Sequence, residues 1–153
     1  MNIEEKLSVL GLSLPVLPAS KGIYKRCLLV DDLLYISGHI SVHNDGRYLT
    51  GKLGKDMSEE DGKLAARQSA LAILSSVKEE LGDLAKIKRV IKLFGMVNST
   101  PDFEKHALVI NGCSELYVQL WGEENGKGVR SAVGLSSLPF GVAVEIEAIF
   151  QIS

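Results

Sequence analysis

Apolar and polar side chains alternate along the last segment of the chain, residues 142–152. The apolar positions are Val142, Val144, Ile146, Ala148, Phe150 and Ile152. Glu145, Glu147 and Gln151 lie between them. Because successive side chains of a β-strand point to opposite faces, this pattern predicts a strand with one buried face and one polar face. Such a strand belongs in a sheet that is covered on one side only.

Four further segments are typical of strands. They are residues 25–30, 33–42, 87–97 and 129–136. The first two are predicted to form a hairpin across Asp31 and Asp32. The branched apolar residues of 87–97 favour a buried strand over a helix. The polar stretch 43–51 contains two glycines and predicts a turn that leaves room for a short additional strand.

Two long helices are predicted between these strands. Ser58 is placed to cap the first helix, and Gly82 is placed to end it. Thr100 followed by Pro101 predicts the start of the second helix, whose apolar stripe continues to Gly122. The order is then β-β-(β)-α-β-α-β-β, which is typical of an α+β fold in which two helices cover one face of a mixed sheet.

Length and composition predict one globular domain. The chain has 153 residues, of which 46% are hydrophobic, and no composition shift divides it. Residues 3–10 have the pattern of a short amphipathic helix, and Pro15 and Pro18 follow it. We therefore expect residues 1–20 to form an N-terminal extension and residues 21–153 to form the domain.

Charge and cysteine content indicate the setting in which the protein works. The formal net charge of -2 gives no broad attraction for nucleic acid or for an anionic membrane. The first residues are acidic and lack the basic region of a secretory signal, and no apolar run is long enough to span a bilayer. Cys27 and Cys113 lie in unrelated contexts, which argues against a disulfide framework. We expect a soluble, cytoplasmic protein.

Arg130 is the first candidate for a functional side chain. On a strand it shares a face with Ala132 and Gly134, whose small side chains leave space around the guanidinium. A guanidinium held on a strand is suited to binding a carboxylate. The alternative is an ion pair across the sheet with Glu145 or Glu147, and spacing alone favours that alternative.

The polar face of the last strand and a histidine pair offer two further candidates. Glu145 is a candidate general acid or base, although a polar strand face is more often only solvated. His39 and His43 lie on one face of a predicted strand, but roughly 13 Å of extended chain separates them, which argues against a shared zinc ion. Cys27 and Cys113 occupy apolar contexts typical of inert thiols.

The segment VRSAVGLSSLPFGVAVEIEAIF resembles the C-terminal signature of the RidA/YjgF family. The segments ISG, AARQSALAIL, KRVIKLFGMV and DFEKHALVINGCSELYVQLW follow the family order, so the resemblance covers residues 22–152. It implies a chorismate-mutase-like fold that assembles as a homotrimer, with ligand pockets in the clefts between subunits. It also implies hydrolytic deamination of enamines and imines derived from amino acids, such as 2-aminoacrylate, to 2-keto acids and ammonia. No metal or organic cofactor is implied.

The resemblance also assigns roles to individual residues. Arg130 matches the arginine that pairs with the substrate carboxylate, and Glu145 matches the glutamate beside the attacking water. Tyr24, Ser37 and Asn111 match residues around the pocket. These five positions, together with Ala132, are the predicted catalytic and substrate-binding residues.

Four positions depart from the family pattern. Ala132 stands in place of a common cysteine and Gly134 in place of a frequent glutamate, and both changes are expected to enlarge the pocket. His39 stands in place of a frequent glutamine, and Ile23 in place of a proline. These departures indicate a divergent branch of the family.

Two alternatives to the deaminase come from other functional classes. The chain can be a non-catalytic trimeric module that binds small carboxylates or a partner protein in the same clefts. A ribonuclease, which the family is also named for, is disfavoured because phosphate contacts need a basic surface that this acidic chain lacks.

Overall fold

The computed structural model describes all 153 residues and contains a five-stranded mixed sheet. Its strands are β1 (Cys27–Val30), β2 (Leu33–Ile40), β3 (Ile87–Asn98), β4 (Val129–Leu135) and β5 (Val144–Ile152). They lie in the order β1-β2-β5-β3-β4, and only the pair of β3 and β4 is parallel. The predicted α+β class is therefore confirmed, with β5 in the centre of the sheet.

Two long helices cover one face of this sheet. The helices are α1 (Ile3–Val9), α2 (Glu59–Leu81) and α3 (His106–Gly126), and short 3-10 turns span Leu84–Lys86 and Pro139–Gly141. The chain packs α2 and α3 side by side against the sheet, as predicted, and leaves the opposite face without a helix. None of the helices combines the length and the apolar character needed to cross a bilayer.

The alternation in β5 places the core between the sheet and these helices. Val144, Ile146 and Phe150 are fully buried, whereas Glu147 on the other face is exposed. The ring of Tyr117 in α3 packs edge-on against Phe150, with 5.6 Å between centroids. The buried face that the pattern predicts is therefore confirmed.

The predicted ends of the long helices are largely confirmed. The Ser58 hydroxyl accepts a hydrogen bond from the Asp61 amide and caps α2. Gly82 ends α2 with a left-handed φ of 80°, and Gly122 interrupts α3 with a φ of 83°. Glycine has no Cβ and adopts this conformation without the steric cost that other residues meet.

The predicted start of α3 is wrong. Thr100 and Pro101 form a turn in which the Phe103 amide donates to the Thr100 carbonyl, and the Thr100 hydroxyl donates to Asp102 instead of capping a helix. The helix begins only at His106. A proline after threonine suits the second position of a β-turn as well as the first turn of a helix, and here the turn forms.

The additional strand allowed for residues 43–51 does not form. A tight turn lets the Gly46 amide donate to His43, and only single bridges join Val42 to Tyr48 and Thr50 to Val142. The segment is thus a loop that lies over the end of the sheet.

The N-terminal segment packs against the domain. Ile3 and Leu7 of α1 belong to the hydrophobic core, and the Lys6 ammonium donates to the Leu120 carbonyl of α3 at 2.7 Å. Further along, the Ser75 hydroxyl of α2 donates to the Pro15 carbonyl. The segment predicted as an extension is therefore fixed along the helical layer.

Candidate functional site

Arg130 reaches from β4 to α3. It pairs with Leu93 of β3, whose buried side chain lies on the helix-covered face of the sheet, so Arg130 shares that face. Its Nη1 donates to Asn111 Oδ1 at 2.8 Å and to Ser114 Oγ at 3.1 Å, and its Nη2 donates to the Ala107 carbonyl at 3.4 Å. We call these four residues the Arg130 cluster.

The positive charge of Arg130 is not neutralised within the chain. Its three acceptors are uncharged, and none of the ion pairs in the structure includes it. The expected alternative of an ion pair with Glu145 or Glu147 is wrong, because β3 separates β4 from β5 and both glutamates lie on the opposite face. A half-buried guanidinium of this kind is suited to binding an anion from outside the chain.

The space beside Gly134 is already filled. A Cβ at Gly134 would lie 2.3 Å from His106 Nε2 and 2.6 Å from Ser99 Oγ. The two side chains are themselves 3.3 Å apart and hydrogen bonded. The expectation that Gly134 enlarges a pocket is therefore wrong, because the imidazole of His106 occupies that space. Ala132 is half-buried and packs against the core.

Glu145 lies on the face of β5 that no helix covers. Burial raises the pKa of its carboxyl above the ordinary value for glutamate, and the nearby Glu147 carboxylate adds to the increase. The side chain lies directly over Gly38, where a Cβ would be only 2.0 Å from Glu145 Oε2. Only glycine leaves room for the carboxylate in this position.

A β-bulge in β2 holds Gly38 and Ser37 beneath this carboxylate. The register between β2 and β5 shifts between Ile36 and His39, and the buried His39 ring joins the bulge to α2. His39 Nδ1 donates to the Ser37 carbonyl at 2.6 Å, and Nε2 accepts from the Ser76 hydroxyl at 2.7 Å. Burial lowers the pKa of His39 to about 4, so the ring is neutral near pH 7. Both ring nitrogens are occupied, which leaves none for a metal ion.

Tyr24 and Ser37 border the same groove as Glu145. The groove has a volume of about 480 Å³ and is lined by Lys21, Gly22, Tyr24, Ser37, Gly38, Ile40, Pro139, Phe140, Glu145 and Glu147. We call it the Glu145 groove. The Tyr24 side chain is 55% exposed, whereas the Ser37 hydroxyl donates to the Lys25 carbonyl. Three of the predicted site residues therefore come together on this face.

Five of the six predicted site residues form two separate groups in one chain. Arg130 and Asn111 lie in the Arg130 cluster, and Tyr24, Ser37 and Glu145 lie at the Glu145 groove. The two groups have no residue in common. The whole set can meet only if two copies of the chain bring one group each.

The two cysteine thiols are buried and unreactive, as predicted. Burial raises the pKa values of Cys27 and Cys113 to about 12, and both thiols are buried. Neither forms the reactive thiolate near neutral pH.

Two residues beside the candidate groups carry no clear signal in the sequence. His106 precedes the first apolar position of a helix, and the residue pattern does not indicate its contacts with Ser99 and Phe103. Phe140 lies in an ordinary turn segment, LPFG. Their importance depends on contacts with Gly134 and Tyr48, which are distant in sequence.

Residues 4–142 match the family described as "YjgF/chorismate mutase-like, putative endoribonuclease". Protein TCP17 of Trypanosoma cruzi is 38% identical over 151 residues, which are 99% of this chain and 94% of that protein. The solved structure of Atu1372 from Agrobacterium tumefaciens, a protein of unknown function, has 43% identity and a TM-score of 0.90 over 99% of this chain and 92% of that one. RidA from a Psychrobacter species has 25% identity and a TM-score of 0.60 over 89% and 94% of the two chains.

These similarities confirm the chorismate-mutase-like fold. The family match extends over most of the chain, and the relatives are matched over nearly their full lengths. The chain therefore belongs to the RidA/YjgF family.

Proposed function

We propose that this protein hydrolyses 2-imino acids, and enamines that tautomerise to them, to 2-keto acids and ammonia. One observation supports the proposal above the others: Arg130 is held by three neutral acceptors and faces no carboxylate of its own chain. A substrate carboxylate is the ligand that this arrangement fits. No metal or organic cofactor takes part in the proposed reaction.

The hydrogen bonds of Arg130 leave a suitable edge for a carboxylate. A guanidinium has five N–H donors, and the structure engages both of those on Nη1 and one on Nη2. The Nε–H and one Nη2–H have no acceptor in the chain. Two free donors on a guanidinium can bind the two oxygens of a carboxylate. Asn111 and Ser114 fix the direction in which that edge points.

We place the reaction in a homotrimer, where the Arg130 cluster of one subunit meets the Glu145 groove of the next. The uncovered sheet face supports association, because it carries a groove of about 570 Å³ in which six of the ten lining residues are apolar, including Leu28, Tyr35 and Phe94. Leu28 and Tyr35 are 48% and 43% exposed in the single chain. An apolar sheet face of this kind is typical of an interface.

Glu145 supplies the proton transfers. Its carboxylate accepts a proton as water attacks the carbon of the protonated imine, and the C=N π electrons become the lone pair of an amino group. The resulting acid returns this proton to the amino group. The carboxylate then accepts the proton of the carbinolamine hydroxyl as the keto group forms, the C–N bond breaks and ammonia leaves, and it finally releases that proton to solvent. A carboxyl whose pKa is raised above the ordinary value for glutamate is better matched to donating this proton near neutral pH.

The test is hydrolysis of an imine generated in the assay by an amino-acid oxidase, with semicarbazide to trap the imine that remains. We expect the wild-type protein to reduce trapping, and Arg130→Ala to lower kcat/KM about 30-fold or more, because a charged hydrogen-bonded contact is lost. Arg130→Lys is expected to restore only part of this activity, since an ammonium cannot form the bidentate contact. Arg47→Ala is the control, because Arg47 lies on an exposed loop and pairs with Asp45.

The opposite result separates catalysis from binding. If wild-type protein leaves the imine untouched while pyruvate binds and Arg130→Ala abolishes that binding, the protein is a carboxylate-binding module and the proposed hydrolysis is wrong.

A further inference from the structure

An aromatic pocket lies next to the Glu145 groove. Its walls include the rings of Tyr24, Tyr48 and Phe140, and apolar side chains of Leu17 and Ala72 complete it. Leu17 belongs to the N-terminal segment, whose path is fixed by the hydrogen bond of the Val16 amide to Asn44 and that of Ser75 to Pro15.

Phe140 is held in this wall at a conformational cost. Its φ is +59°, a left-handed value that residues with a Cβ rarely adopt, and the side chain is 57% exposed. The ring stacks on Tyr48 with 4.6 Å between centroids and 18° between planes. An exposed ring at a strained position contributes little to the core, so packing of the core does not explain it.

The aromatic pocket adjoins the Glu145 groove. Five residues border both: Lys21, Tyr24, Gly38, Ile40 and Phe140. A ligand whose reacting carbon lies beside Glu145 can therefore extend a substituent between Tyr24 and Phe140 without leaving the protein surface.

Two of the polar residues that border the aromatic pocket, His39 and Arg26, are already hydrogen bonded within the chain. Both ring nitrogens of His39 are hydrogen bonded, and the Arg26 guanidinium donates to the Pro18 carbonyl. The Lys21 ammonium lies 5.8 Å from the centroid of the Phe140 ring, in the range of a cation-π contact. Most of the residues that line the pocket are apolar or aromatic, and such a lining suits another aromatic ring.

We infer that the aromatic pocket binds the side chain of the substrate and selects 2-imino acids with an aromatic side chain over those with a methyl group. This inference rests on the proposed hydrolysis and specifies its substrate class. It makes Phe140 and Tyr48 specificity-determining residues, and it gives the N-terminal segment a part in forming the site.

The kinetic test compares imines generated from phenylalanine, alanine and glutamate. For the wild-type protein, we expect kcat/KM to be about 10-fold or more higher for the phenylalanine-derived imine than for either other imine. We call the kcat/KM for the phenylalanine-derived imine divided by that for the alanine-derived imine the selectivity ratio. Phe140→Ala is expected to lower this ratio by about 10-fold or more. Phe140→Gly, which relieves the left-handed strain, serves if the alanine variant folds poorly. Val9→Ala is the control, because Val9 is 74% exposed on α1.

Three kinetic results would overturn the inference: a preference for the alanine-derived imine, a preference for the glutamate-derived imine, or a ratio that neither Phe140 variant changes.

A binding measurement distinguishes failure of this inference from failure of the proposed function. If the wild-type protein hydrolyses none of the imines, the proposed function fails, and titration with phenylpyruvate and pyruvate still tests the pocket. Phenylpyruvate is expected to bind about 10-fold or more tightly than pyruvate, and Phe140→Gly to remove the difference. Equal affinities for wild-type protein would contradict the pocket.

Discussion

Arg130 and Glu145 lie on opposite faces of the same sheet, with β3 between their strands. Arg130 pairs with Leu93 of β3, whereas Glu145 pairs with Met96 three residues further along. The two residues are two strand spacings apart across the sheet, which is roughly 10 Å, and three residues apart along the strands, which is again roughly 10 Å. One chain therefore cannot place both side chains on a single small substrate.

This separation predicts that two inactive variants complement each other. Arg130→Ala and Glu145→Gln chains that are unfolded and refolded together are expected to regain imine hydrolysis. In the proposed cyclic trimer, random assembly pairs an intact arginine with an intact glutamate at about one quarter of the sites. The measurement is the rate of the co-refolded mixture. The two variants refolded apart and then combined are the control and are expected to stay inactive. Co-refolded hetero-oligomers without activity would contradict a shared site.

Local patterns in the sequence were sufficient to predict most of the elements. The alternation of β5 identifies its buried face, and Ser58 and Gly82 mark the ends of α2. These signals arise within a few residues of the feature they determine. Thr100 and Pro101 failed as a helix start because a β-turn and a helix cap use the same local chemistry.

The partners of Arg130 could not be predicted in this way. Placing Arg130 beside Glu145 assumed that consecutive strands are neighbours, yet β5 inserts between β2 and β3. Likewise, the space beside Gly134 is filled by His106, which comes from another element. Resemblance to the family indicated the site residues, but only the fold separates them into two groups.

The buried His39 predicts a loss of stability in mild acid. Its pKa in the folded protein is about 4 and its ordinary value is 6.5, so the unfolded chain binds more protons between these values. The free energy of unfolding is therefore expected to fall as pH falls from 6.5 to about 4, by about 3 kcal/mol from this group. Denaturant unfolding across this range measures the effect.

Two glutamine variants test this origin of the pH dependence. His39→Gln keeps a donor for the Ser37 carbonyl and an acceptor for the Ser76 hydroxyl, but it does not titrate. We expect it to flatten the pH dependence between 4 and 6.5, whereas His43→Gln, on the exposed His43, should leave it unchanged. If the free energy of unfolding of His39→Gln depends on pH as it does in the wild-type protein, groups other than His39 cause the loss of stability in acid.

The N-terminal segment is expected to contribute to the stability of the whole domain. Leu7 is 2% exposed and belongs to the core, so Leu7→Ala should lower the free energy of unfolding by about 2–4 kcal/mol. Val9→Ala on the same helix should change it by less than about 0.5 kcal/mol, since Val9 is 74% exposed. Similar small losses in both variants would mean that α1 opens independently of the domain.

Gly38 is expected to control the position of the Glu145 carboxylate. A Cβ at Gly38 would lie 2.0 Å from Glu145 Oε2, at the free end of a flexible side chain, so Gly38→Ala should fold while forcing the carboxylate to turn away. Imine hydrolysis is then expected to fall about 10-fold or more, because a displaced acid or base transfers protons poorly.

A double-mutant cycle separates this effect from a general disturbance of the β-bulge. In a Glu145→Gln background, Gly38→Ala should cause little further loss of kcat/KM, because the group that it displaces no longer transfers protons. If the two losses instead multiply, Gly38 acts independently of Glu145 and the proposed contact between them does not govern the reaction. Melting temperatures of the single and double variants, measured alongside the kinetics, would identify any part of the loss that comes from unfolding.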